Sequence, residues 1–503
     1  MRVLFIYPNL NAQIGFNYGV AFLSAVLRRH GHITRLLNVN EDLGYPLDLE
    51  RIAGDVKAFS PDLVGFSVVS NQFRCALEIG RAIRDHTDAP FVCGGVHVTM
   101  APHEVLETGI FDYACLGEGE EALLELANAL EVHGDTTKIP NIWMKRDGMV
   151  IKNRVRPFTP LESLPPKDYE IFDFQKMIDA KNGWVGAMVS RGCPFRCNYC
   201  FNHRLVDIYR KDTGIPRSRL GYLRRHSVKE VIGELEYLLG QYTGIKVFIF
   251  DDDLFTLERD YLQEFCQAYE RRIAVPFVCN AHVKVFDHAI ARSLKRANCR
   301  IVKFGLESGS ERIRREVLNR PMTNHAIMNA FRAAHDHQLH TSAFVMIGLP
   351  DETTEDVFAT IDLLAAIRPG RFRWSIFFPY PGTVAYEMAE ERDLIDFQKM
   401  RTLTNFTEES CLDFGEAHNL LIDKLARAFP WFVNARSNPS SSTVYRGLVG
   451  EIEGMDRTGW EKVKGTIRSR DQEISSSLAK AGKEHYAIRY NNFMGVRSDW
   501  FDL

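Results

Sequence analysis

Residues 190–201 read Ser190-Arg191-Gly192-Cys193-Pro194-Phe195-Arg196-Cys197-Asn198-Tyr199-Cys200-Phe201, a segment with three closely spaced cysteines. Its three cysteines are separated by three and then two residues. A cubane iron–sulfur cluster needs a thiolate on each iron, and this loop offers only three. The fourth iron would remain open, as in catalytic metal sites rather than sealed structural ones. The spacing therefore predicts a catalytic [4Fe–4S] cluster on Cys193, Cys197 and Cys200.

Two other interpretations of the cysteines are a zinc loop and unrelated buried thiols. Zinc would need a fourth ligand, for which His203 is a candidate, but no second cysteine pair follows the first set. Gly192 and Pro194 fit a tight loop in which backbone N–H groups can approach the sulfides of a cluster. The pattern favours the cluster over both alternatives.

Composition limits the class of protein. A chain of 503 residues is long enough for two or three domains. Its 62 basic and 65 acidic residues are balanced, so nucleic acid is not an expected partner. No apolar run reaches the roughly 18 residues of a membrane span, and residues 1–7 look like a strand rather than a signal peptide. The ten cysteines form no disulfide framework, which predicts a cytoplasmic protein.

Strand and helix patterns alternate along the first 120 residues. Strands are predicted at 2–7, 33–37, 63–69, 91–93 and 113–116, with helices at 17–30, 49–59 and 75–86. This order predicts a doubly wound, Rossmann-like parallel sheet. Such sheets bind ligands at the carboxyl ends of their strands. Three polar or glycine turns occur there, at residues 67–71, 94–97 and 117–120.

The pattern changes after residue 140 and then resumes. A small strand pair is predicted at 142–152, and the proline-rich residues 157–166 read as an extended linker. Six further strand–helix units follow, with strands at 184–189, 246–250, 277–279, 301–304, 342–346 and 374–377. Each strand runs into polar or glycine residues, which in βα barrels form the catalytic face. We therefore predict domains at 1–140 and 184–395, a linker at 141–183 and a third region at 396–503.

Two regions are harder to interpret. The basic residues between Arg210 and Arg225 form either a solvated loop, which is the favoured interpretation, or an anion-binding lid. Beyond residue 400, helices are predicted at 415–432 and 454–470, with a polar loop at 434–443 between them. This region is expected to be mostly helical. It either caps the open side of the preceding domain or simply packs against it.

The cysteine stretch resembles the signature of the radical S-adenosylmethionine enzymes, and the strand-end phrases between 184 and 395 match their barrel in order. Residues 94–104 and 112–120 look like the amino-terminal domain of the cobalamin-dependent class. The resemblance implies an α/β protein with a Rossmann-like cobalamin-binding domain, a partial (β/α)6 TIM-like barrel and a mostly helical carboxyl-terminal region. It also implies three cofactors: a [4Fe–4S] cluster, S-adenosylmethionine and cobalamin.

The same resemblance assigns residues to the two organic cofactors. For S-adenosylmethionine, Tyr199 would lie against the adenine, Glu307 and Ser308 would contact the ribose or amino acid part, and Arg320 would bind the carboxylate. Asp252 would approach the amine, or else cap the following helix. Cobalamin would contact Ser67, Gly94, Gly95, His97, Gly117, Glu118 and Gly119. The DxHxxG motif that supplies a histidine to cobalt is absent, so His97 is expected to hydrogen-bond within its loop rather than bind cobalt.

The implied reaction is reductive cleavage of S-adenosylmethionine to a 5′-deoxyadenosyl radical, followed by methylation of an unactivated carbon in a small-molecule substrate. An oxidative cyclisation or ring rearrangement without net methylation is the main alternative, and a non-catalytic cobalamin or redox sensor is the remote one. A methylthiotransferase is disfavoured because Cys75, Cys93 and Cys115 are too dispersed to form a second cluster set. The electron donor would be an external protein such as flavodoxin or ferredoxin. The sequence identifies neither the substrate nor a catalytic residue.

Overall fold

A computed structural model describes residues 1–403, 407–437 and 439–501. The chain packs as two compact units. Unit 1 comprises Met1–Phe195, Cys200–Asp253 and Tyr380–Thr383. Unit 2 comprises Arg196–Tyr199, Leu254–Pro379 and the described part of Val384–Leu503. Within the described ranges, no helix has both the length and the apolar character needed to span a membrane.

Unit 1 begins with a seven-stranded sheet in the order β2-β1-β3-β4-β5-β6-β7. Strands β1 to β5 are parallel, whereas β6 and β7 are antiparallel. The predicted doubly wound sheet and the added strand pair are both present. The strands are β1 (Arg2–Pro8), β2 (Ile33–Val39), β3 (Leu63–Ser67), β4 (Phe91–Gly94), β5 (Tyr113–Cys115), β6 (Ile142–Arg146) and β7 (Met149–Lys152).

The first two helices of this sheet begin at residues whose side chains cap them. The Asn17 side chain accepts a hydrogen bond from the Val20 amide and so starts the first helix, and Asp48 starts the second in the same way. Apolar residues on both faces of the strands are buried, such as Leu4 on one face of β1 and Phe5 on the other. The helices are α1 (Tyr18–Arg29), α2 (Leu49–Phe59), α3 (Phe73–Arg84), α4 (Val96–Met100), α5 (Pro102–Glu107), α6 (Glu120–Glu131) and α7 (Phe174–Ala180).

The rest of unit 1 contains the segments around the cysteine loop. The proline-rich passage is extended except for a short 3-10 turn at Leu161–Ser163. Strands β8 (Trp184–Ala187) and β11 (Val247–Phe250) pair in parallel, and β9 (Ser190–Arg191) pairs antiparallel with β10 (Arg224–Arg225). Two helices complete the unit, α8 (Asn202–Thr213) and α9 (Val228–Gln241).

Unit 2 contains four parallel strands followed by an antiparallel pair, in the order β12-β13-β14-β15-β17-β16. The parallel strands are β12 (Phe277–Ala281), β13 (Cys299–Glu307), β14 (His340–Ile347) and β15 (Arg371–Ile376). With β8 and β11 of unit 1, all six strands predicted for the second domain are present. The accompanying helices are α10 (Arg259–Arg272), α11 (His288–Arg296), α12 (Asn324–Asp336), α13 (Thr354–Ile367) and α14 (Val384–Glu391).

The carboxyl-terminal region is mostly helical, as predicted, but its details differ. Its elements are α15 (Phe397–Thr402), α16 (Glu416–Arg436), α17 (Pro439–Glu453), α18 (Arg457–Val463), α19 (Ile467–Lys480), β16 (Tyr486–Ile488) and β17 (Met494–Arg497). The predicted helix at 454–470 is two helices. The sequence analysis did not predict the strands β16 and β17, which extend the sheet beyond β15.

The predicted polar loop at 434–443 is wrong for most of its length, because α16 continues to Arg436 and α17 starts at Pro439. Residue 438 lies outside the described residues. Asn434 explains the error. Its side-chain amide is buried and makes hydrogen bonds of 2.8 and 2.7 Å with the backbone of Tyr486. The asparagine therefore pairs with β16 instead of forming the turn that its residue type favours.

We predict that Gly309→Ala destabilises unit 2. Gly309 follows β13, and an added Cβ would collide with the backbone of Ala359 and Thr360 in α13. Overpacking of this kind costs about 1–3 kcal/mol, so the thermal unfolding midpoint should fall. The matched control is Gly447→Ala in α17, where no described atom outside the adjacent helix backbone lies within 4 Å of the new methyl group. The control should be neutral or stabilising, and equal effects of the two substitutions would contradict the prediction.

Candidate functional site

Unit 1 contains a cavity of about 300 Å³ at the carboxyl ends of β1, β3, β4 and β5. It lies between the sheet and helices α1 and α6. Apolar side chains form much of its wall, including Phe5, Leu23, Phe66, Val92 and Leu123. The strand order reverses beside β1 and β3, which is where doubly wound sheets bind ligands. Six of the seven residues assigned to cobalamin line this cavity: Ser67, Gly94, Gly95, Gly117, Glu118 and Gly119.

At two of these positions the local packing requires glycine, for a reason that the sequence did not reveal. Gly95 has φ of +107°, and a Cβ there would lie 2.5 Å from the Val68 carbonyl oxygen. Gly117 has φ of +69°, and its Cβ would collide with the Tyr209 ring. Glycine is therefore required at both positions by the protein's own packing. A substitution at either position would disturb the fold as well as any ligand.

Glu118 forms a buried ion network at the edge of the cavity. Its carboxylate lies 3.0 Å from Arg191 Nη1 and 2.5 Å from Arg224 Nη2, and it also accepts a hydrogen bond from the Thr159 amide. Arg191 additionally pairs with Glu120 at 2.6 Å. The three side chains of the main network are only 14%, 15% and 11% exposed. Burial would raise the pKa of Glu118, but Arg224 and Arg191 outweigh burial and hold that pKa below its usual value.

The same turn contacts the helix that follows the cysteine loop. The Glu118 amide donates a 2.9 Å hydrogen bond to the Tyr209 hydroxyl, and the Tyr209 ring stacks on Phe158 with 3.8 Å between ring centres. Arg191 lies two residues before Cys193, and α8 begins two residues after Cys200. The turn at Glu118 thus contacts segments on both sides of the cysteine stretch.

His97 does not line the cavity. It is buried, its Nδ1 lies 3.2 Å from the Ser70 hydroxyl and its ring packs 4.1 Å from that of Phe73. Its Nε2 lies 3.9 Å from Glu104, and burial lowers the pKa of His97 to about 4. This geometry is compatible with the expected hydrogen-bonding role in the loop.

Asp252 is buried at the end of β11 and serves the start of the cysteine segment. Its carboxylate accepts hydrogen bonds from the Val189 amide at 3.1 Å, the Ser190 amide at 2.6 Å and the Ser190 hydroxyl. Burial raises the pKa of Asp252 to about 6, against the opposing effect of these donors. The alternative that Asp252 caps the next helix is wrong, because α10 begins seven residues later, after Glu258.

Unit 2 brings together four of the residues singled out by the sequence. The Tyr199 hydroxyl donates a 3.0 Å hydrogen bond to Glu307. Arg320 Nη1 lies 3.4 Å from the Cys197 sulfur, and its Nη2 donates a 2.9 Å hydrogen bond to the Gly305 carbonyl. A Cβ at Gly305 would collide with the Glu307 carboxylate, so this glycine makes room for it. Burial raises the pKa of Glu307, against the opposing effect of Arg320 and Tyr199.

The end of β13 aims Glu307 by an irregular backbone. The strand register shifts between Gly305 and Glu307, and Glu307 has φ of +66°. Such bulges redirect a side chain at a strand end. Ser308 points elsewhere: its hydroxyl lies 3.4 Å from that of Thr360 in α13 and accepts a hydrogen bond from the Ser310 amide. The structure therefore groups Glu307 with Tyr199 and Arg320, but not the Ser308 side chain.

All ten cysteines are free thiols, and within the loop Cys197 is buried whereas Cys193 and Cys200 are half-buried. Gly192 has φ of +98°, and its Cβ would lie 2.5 Å from the Tyr222 carbonyl oxygen, so the turn requires glycine. Arg217 donates a 2.8 Å hydrogen bond to the Pro194 carbonyl. Among the described residues, no three His, Cys, Asp or Glu side chains are grouped as ligands of one metal ion. The ligand set of the cluster therefore depends on the spacing of the cysteines.

Sequence analysis missed several residues of unit 1. Tyr18, Met188 and Arg191 also line the cavity, and the Tyr18 hydroxyl donates a 3.1 Å hydrogen bond to Asp251. The solvated-loop interpretation of the basic stretch is wrong for Arg224, which is buried against Glu118. The position of Arg191, directly before the Gly-Cys-Pro turn, could have indicated that this residue contributes to a site. Nothing in the local sequence indicated a partner 73 residues away.

The fold defines the class of protein: an α/β protein with a doubly wound domain that contains a cavity at its strand ends, a cysteine loop and a second series of parallel strands. Family models agree. The model for the B12 binding domain matches residues 12–127, and that for the radical SAM superfamily matches residues 188–364.

Three similar proteins fit this pairing. Uncharacterized methyltransferase PH0819 of Pyrococcus horikoshii is 28% identical over 80% of this chain and 86% of its own length. The anaerobic magnesium-protoporphyrin IX monomethyl ester cyclase of Rubrivivax gelatinosus is 26% identical over 85% of this chain and 77% of its own. The structure of the radical S-adenosylmethionine methyltransferase TsrM from Kitasatospora setae, with cobalamin and a [4Fe–4S] cluster bound, matches with a TM-score of 0.66 and 18% identity over 96% of this chain and all of that one.

The chain therefore belongs to the radical S-adenosylmethionine enzymes that carry a cobalamin-binding domain. Membership brings three cofactors: a [4Fe–4S] cluster, S-adenosylmethionine and cobalamin. The predicted fold class and the predicted family are both confirmed. The assignment of single residues to each cofactor and the division at residues 140, 183 and 395 stay predictions.

We predict that Glu118→Gln destabilises the protein by about 3–5 kcal/mol, because it leaves buried arginines without their carboxylate. The control is Glu121→Gln, in the first turn of α6, which begins just after Glu118. Glu121 is 50% exposed and pairs with Arg156 at 2.8 Å, so its loss should cost no more than about 1 kcal/mol. Denaturant unfolding at neutral pH checks both values.

The effect of Glu118→Gln should depend on pH. The pKa of Glu118 is lowered in the folded protein, so its contribution is present above the ordinary carboxyl pKa and is lost as the pH falls through the lowered value. Wild type and variant should therefore converge in acid. A difference that widens on acidification would contradict this account.

Proposed function

We propose that the protein is a cobalamin-dependent methyltransferase that acts on an unactivated carbon of a small molecule. The observation that carries the proposal is the unit 1 cavity, which is lined by six of the residues assigned to cobalamin from the sequence. The similarity to PH0819, which is named a methyltransferase, adds support.

The cavity fits the nucleotide tail of cobalamin. Apolar side chains form much of its wall, and it lies between the sheet and helices α1 and α6, which suits a flat aromatic base. Ser67 lies at the rim, where its hydroxyl accepts a 3.0 Å hydrogen bond from Asn17. When bound, cobalamin would supply the methyl group for transfer to carbon. The protein's part is to hold the tail and exclude water from the cavity.

In unit 2 the proposed S-adenosylmethionine contacts are Tyr199, Glu307 and Arg320. The Arg320 guanidinium can bind a carboxylate as a fork. Glu307 is held by the Tyr199 hydroxyl and can accept hydrogen bonds from the ribose hydroxyls or the amine. Cys193, Cys197 and Cys200 would hold the cluster, which would supply the electron for cleavage of S-adenosylmethionine. The Asp252 carboxylate accepts a hydrogen bond from the Ser190 amide and so anchors the turn that leads into the cysteines.

A cyclisation without net methylation is the second candidate, and the similarity to the cyclase of Rubrivivax gelatinosus favours it. The sensor alternative has no such support. An external flavodoxin or ferredoxin as electron donor, and a cytoplasmic location, also stay predictions.

The mass difference between substrate and product tests the proposed reaction. Anaerobically reconstituted protein, S-adenosylmethionine, a reductant and candidate small molecules would be incubated and analysed by mass spectrometry. Methylation adds one CH₂, and with trideuteromethyl S-adenosylmethionine the added group carries the label. A product that has lost hydrogen without gaining carbon would replace the proposal with cyclisation.

We predict that Cys193→Ala, Cys197→Ala and Cys200→Ala each lose the iron–sulfur absorbance and most of the bound iron, because each removes one of three thiolates. Cys266→Ala, Cys279→Ala and Cys411→Ala are the controls, and these buried thiols should be dispensable for the cluster. Iron and sulfide analysis after anaerobic reconstitution checks the prediction. A full four-iron cluster in the Cys197→Ala protein would contradict it.

We predict that Leu23→Trp abolishes cobalamin binding by filling the cavity while leaving the cluster intact. Leu23 lies on α1 in the cavity wall and, unlike Gly95 or Gly117, is not required by a positive φ. His97→Ala is the control outside the cavity and should retain most of the cobalamin. Cobalamin retained after desalting provides the measurement. Equal retention by wild type and Leu23→Trp would mean that cobalamin does not occupy this cavity.

We predict that Arg320→Ala weakens S-adenosylmethionine binding about ten-fold or more, since one charge-assisted contact contributes roughly 1.5–3 kcal/mol. Arg300→Ala, an exposed residue of β13, is the control and should bind normally. Equilibrium binding to the cluster-loaded protein checks both. Unchanged affinity in Arg320→Ala would place the carboxylate contact elsewhere.

A further inference from the structure

Two arginines on β15 have no acidic partner among the residues that the structure describes. Arg371 and Arg373 are both half-buried. The Nε of Arg371 is buried without a hydrogen-bond partner in the described part of the chain. No carboxylate contributes to the electrostatic surroundings of either guanidinium within that part. Most other half-buried arginines discussed above pair with an acid or a carbonyl, so this pair is unusual.

Their surroundings are aromatic or cationic. The Arg373 guanidinium carbon lies 4.9 Å from the centre of the Phe493 ring and 6.0 Å from that of Phe344. Burial, followed by the neighbouring Arg373, lowers the pKa of Arg371 to about 10, and burial lowers that of Arg373. Arginine side chains stay protonated in proteins, so both groups are charged. Unpaired cations away from bulk water disfavour folding, so keeping two of them side by side needs an explanation.

Strand periodicity places the two arginines on the face of the sheet over which Glu307 and Arg320 lie. Side chains alternate along β15, and the opposite face buries Phe372, Trp374 and Ile376 in the core. In the register of the parallel strands, Arg373 is level with Phe344 on β14, and Phe344 is level with Gly305 on β13. Partners in register point to the same face. A Cβ on Gly305 would meet both Glu307 and Arg320, so those groups lie over that face.

The distance between the two arginines and Gly305 suits a small substrate. Neighbouring strands lie about 4.8 Å apart, so β15 is roughly 10 Å from β13 across one intervening strand. Residues two apart on one strand are separated by about 6.6 Å, so both guanidinium groups can reach the same oxyanion. One level away, Arg371 is in register with Ser342 and, across β14, with Lys303. This face of the sheet is thus cationic along β15.

We propose that Arg371 and Arg373 form an oxyanion-binding site and that the substrate is an anionic small molecule whose carboxylate or phosphate they hold. The planar guanidinium groups suit either anion, because both accept two parallel hydrogen bonds. The site would fix the charged end of the substrate about 10 Å from Gly305. That the anion belongs to the substrate depends on the proposed function, whereas anion binding itself does not.

Calorimetric titration of the full-length, cluster-loaded protein with inorganic phosphate and separately with acetate, at constant ionic strength with chloride, tests the site. Wild type should bind at least one of them, and the one it binds identifies the anion. Arg371→Met/Arg373→Met should lose about ten-fold or more in affinity. The control is Arg436→Met, since Arg436 lies 4.9 Å from the Phe358 ring but pairs with Asp362 at 2.9 Å. It should bind the anion as wild type does.

Thermal unfolding without added anion gives an independent readout. Arg373→Met should raise the unfolding midpoint, because it removes an unpaired charge and keeps apolar contact with Phe493. Arg436→Met should not raise it. Wild type that binds neither anion, or a double variant that binds as wild type does, would overturn the proposal. These results do not depend on S-adenosylmethionine cleavage, so failure of the proposed reaction would be recognised separately by the absence of product.

Discussion

Burial of the Glu118 carboxylate is the constraint on which unit 1 depends. A carboxylate that is 14% exposed needs partners, and it finds two arginines that are equally enclosed. Arg191 belongs to β9 and Arg224 to β10, the two strands of the small antiparallel pair. One carboxylate thus ties the glycine turn of the cofactor cavity to the strand that leads into the cysteine loop. The Tyr209 contact adds the helix that leaves it.

In unit 2 a glycine makes room for a carboxylate. The missing Cβ at Gly305 leaves room for the Glu307 carboxylate, and the irregular end of β13 turns that side chain over the strand. Arg320 spans the same spot from the Gly305 carbonyl to the Cys197 sulfur. These contacts hold the charged groups in place before any ligand arrives, which lowers the cost of binding. Arg371 and Arg373 contrast with them, since no carboxylate in the described part of the chain neighbours either guanidinium.

Much of the fold could be predicted because buried parallel strands read as short apolar runs followed by glycine or polar residues. All five strands of the doubly wound sheet and all six of the second series were found this way, with end positions shifted by a few residues. The cysteine spacing identified the class of enzyme because its chemistry is local. The turns at 94–97 and 117–120 converge on one cavity because parallel strands end at one edge.

The remaining features depend on contacts distant in sequence. Arg224 looked like a loop residue, since its partner Glu118 lies 106 residues earlier. Asn434 looked like a turn residue, since the β16 backbone that satisfies it comes 52 residues later. Gly117 was attributed to the ligand, although the Tyr209 ring already requires it. The contact of Asp252 with the backbone before the cysteines could not be predicted either, since that backbone lies 63 residues earlier.

The central claim is that this chain cleaves S-adenosylmethionine at a cluster held by three cysteines. Quantifying 5′-deoxyadenosine from anaerobically reconstituted protein, with a strong reductant and S-adenosylmethionine, tests it most directly. The account predicts 5′-deoxyadenosine from wild type and none from the Cys197→Ala protein. Cluster-loaded wild type that binds S-adenosylmethionine yet forms no 5′-deoxyadenosine, with or without cobalamin, would contradict it.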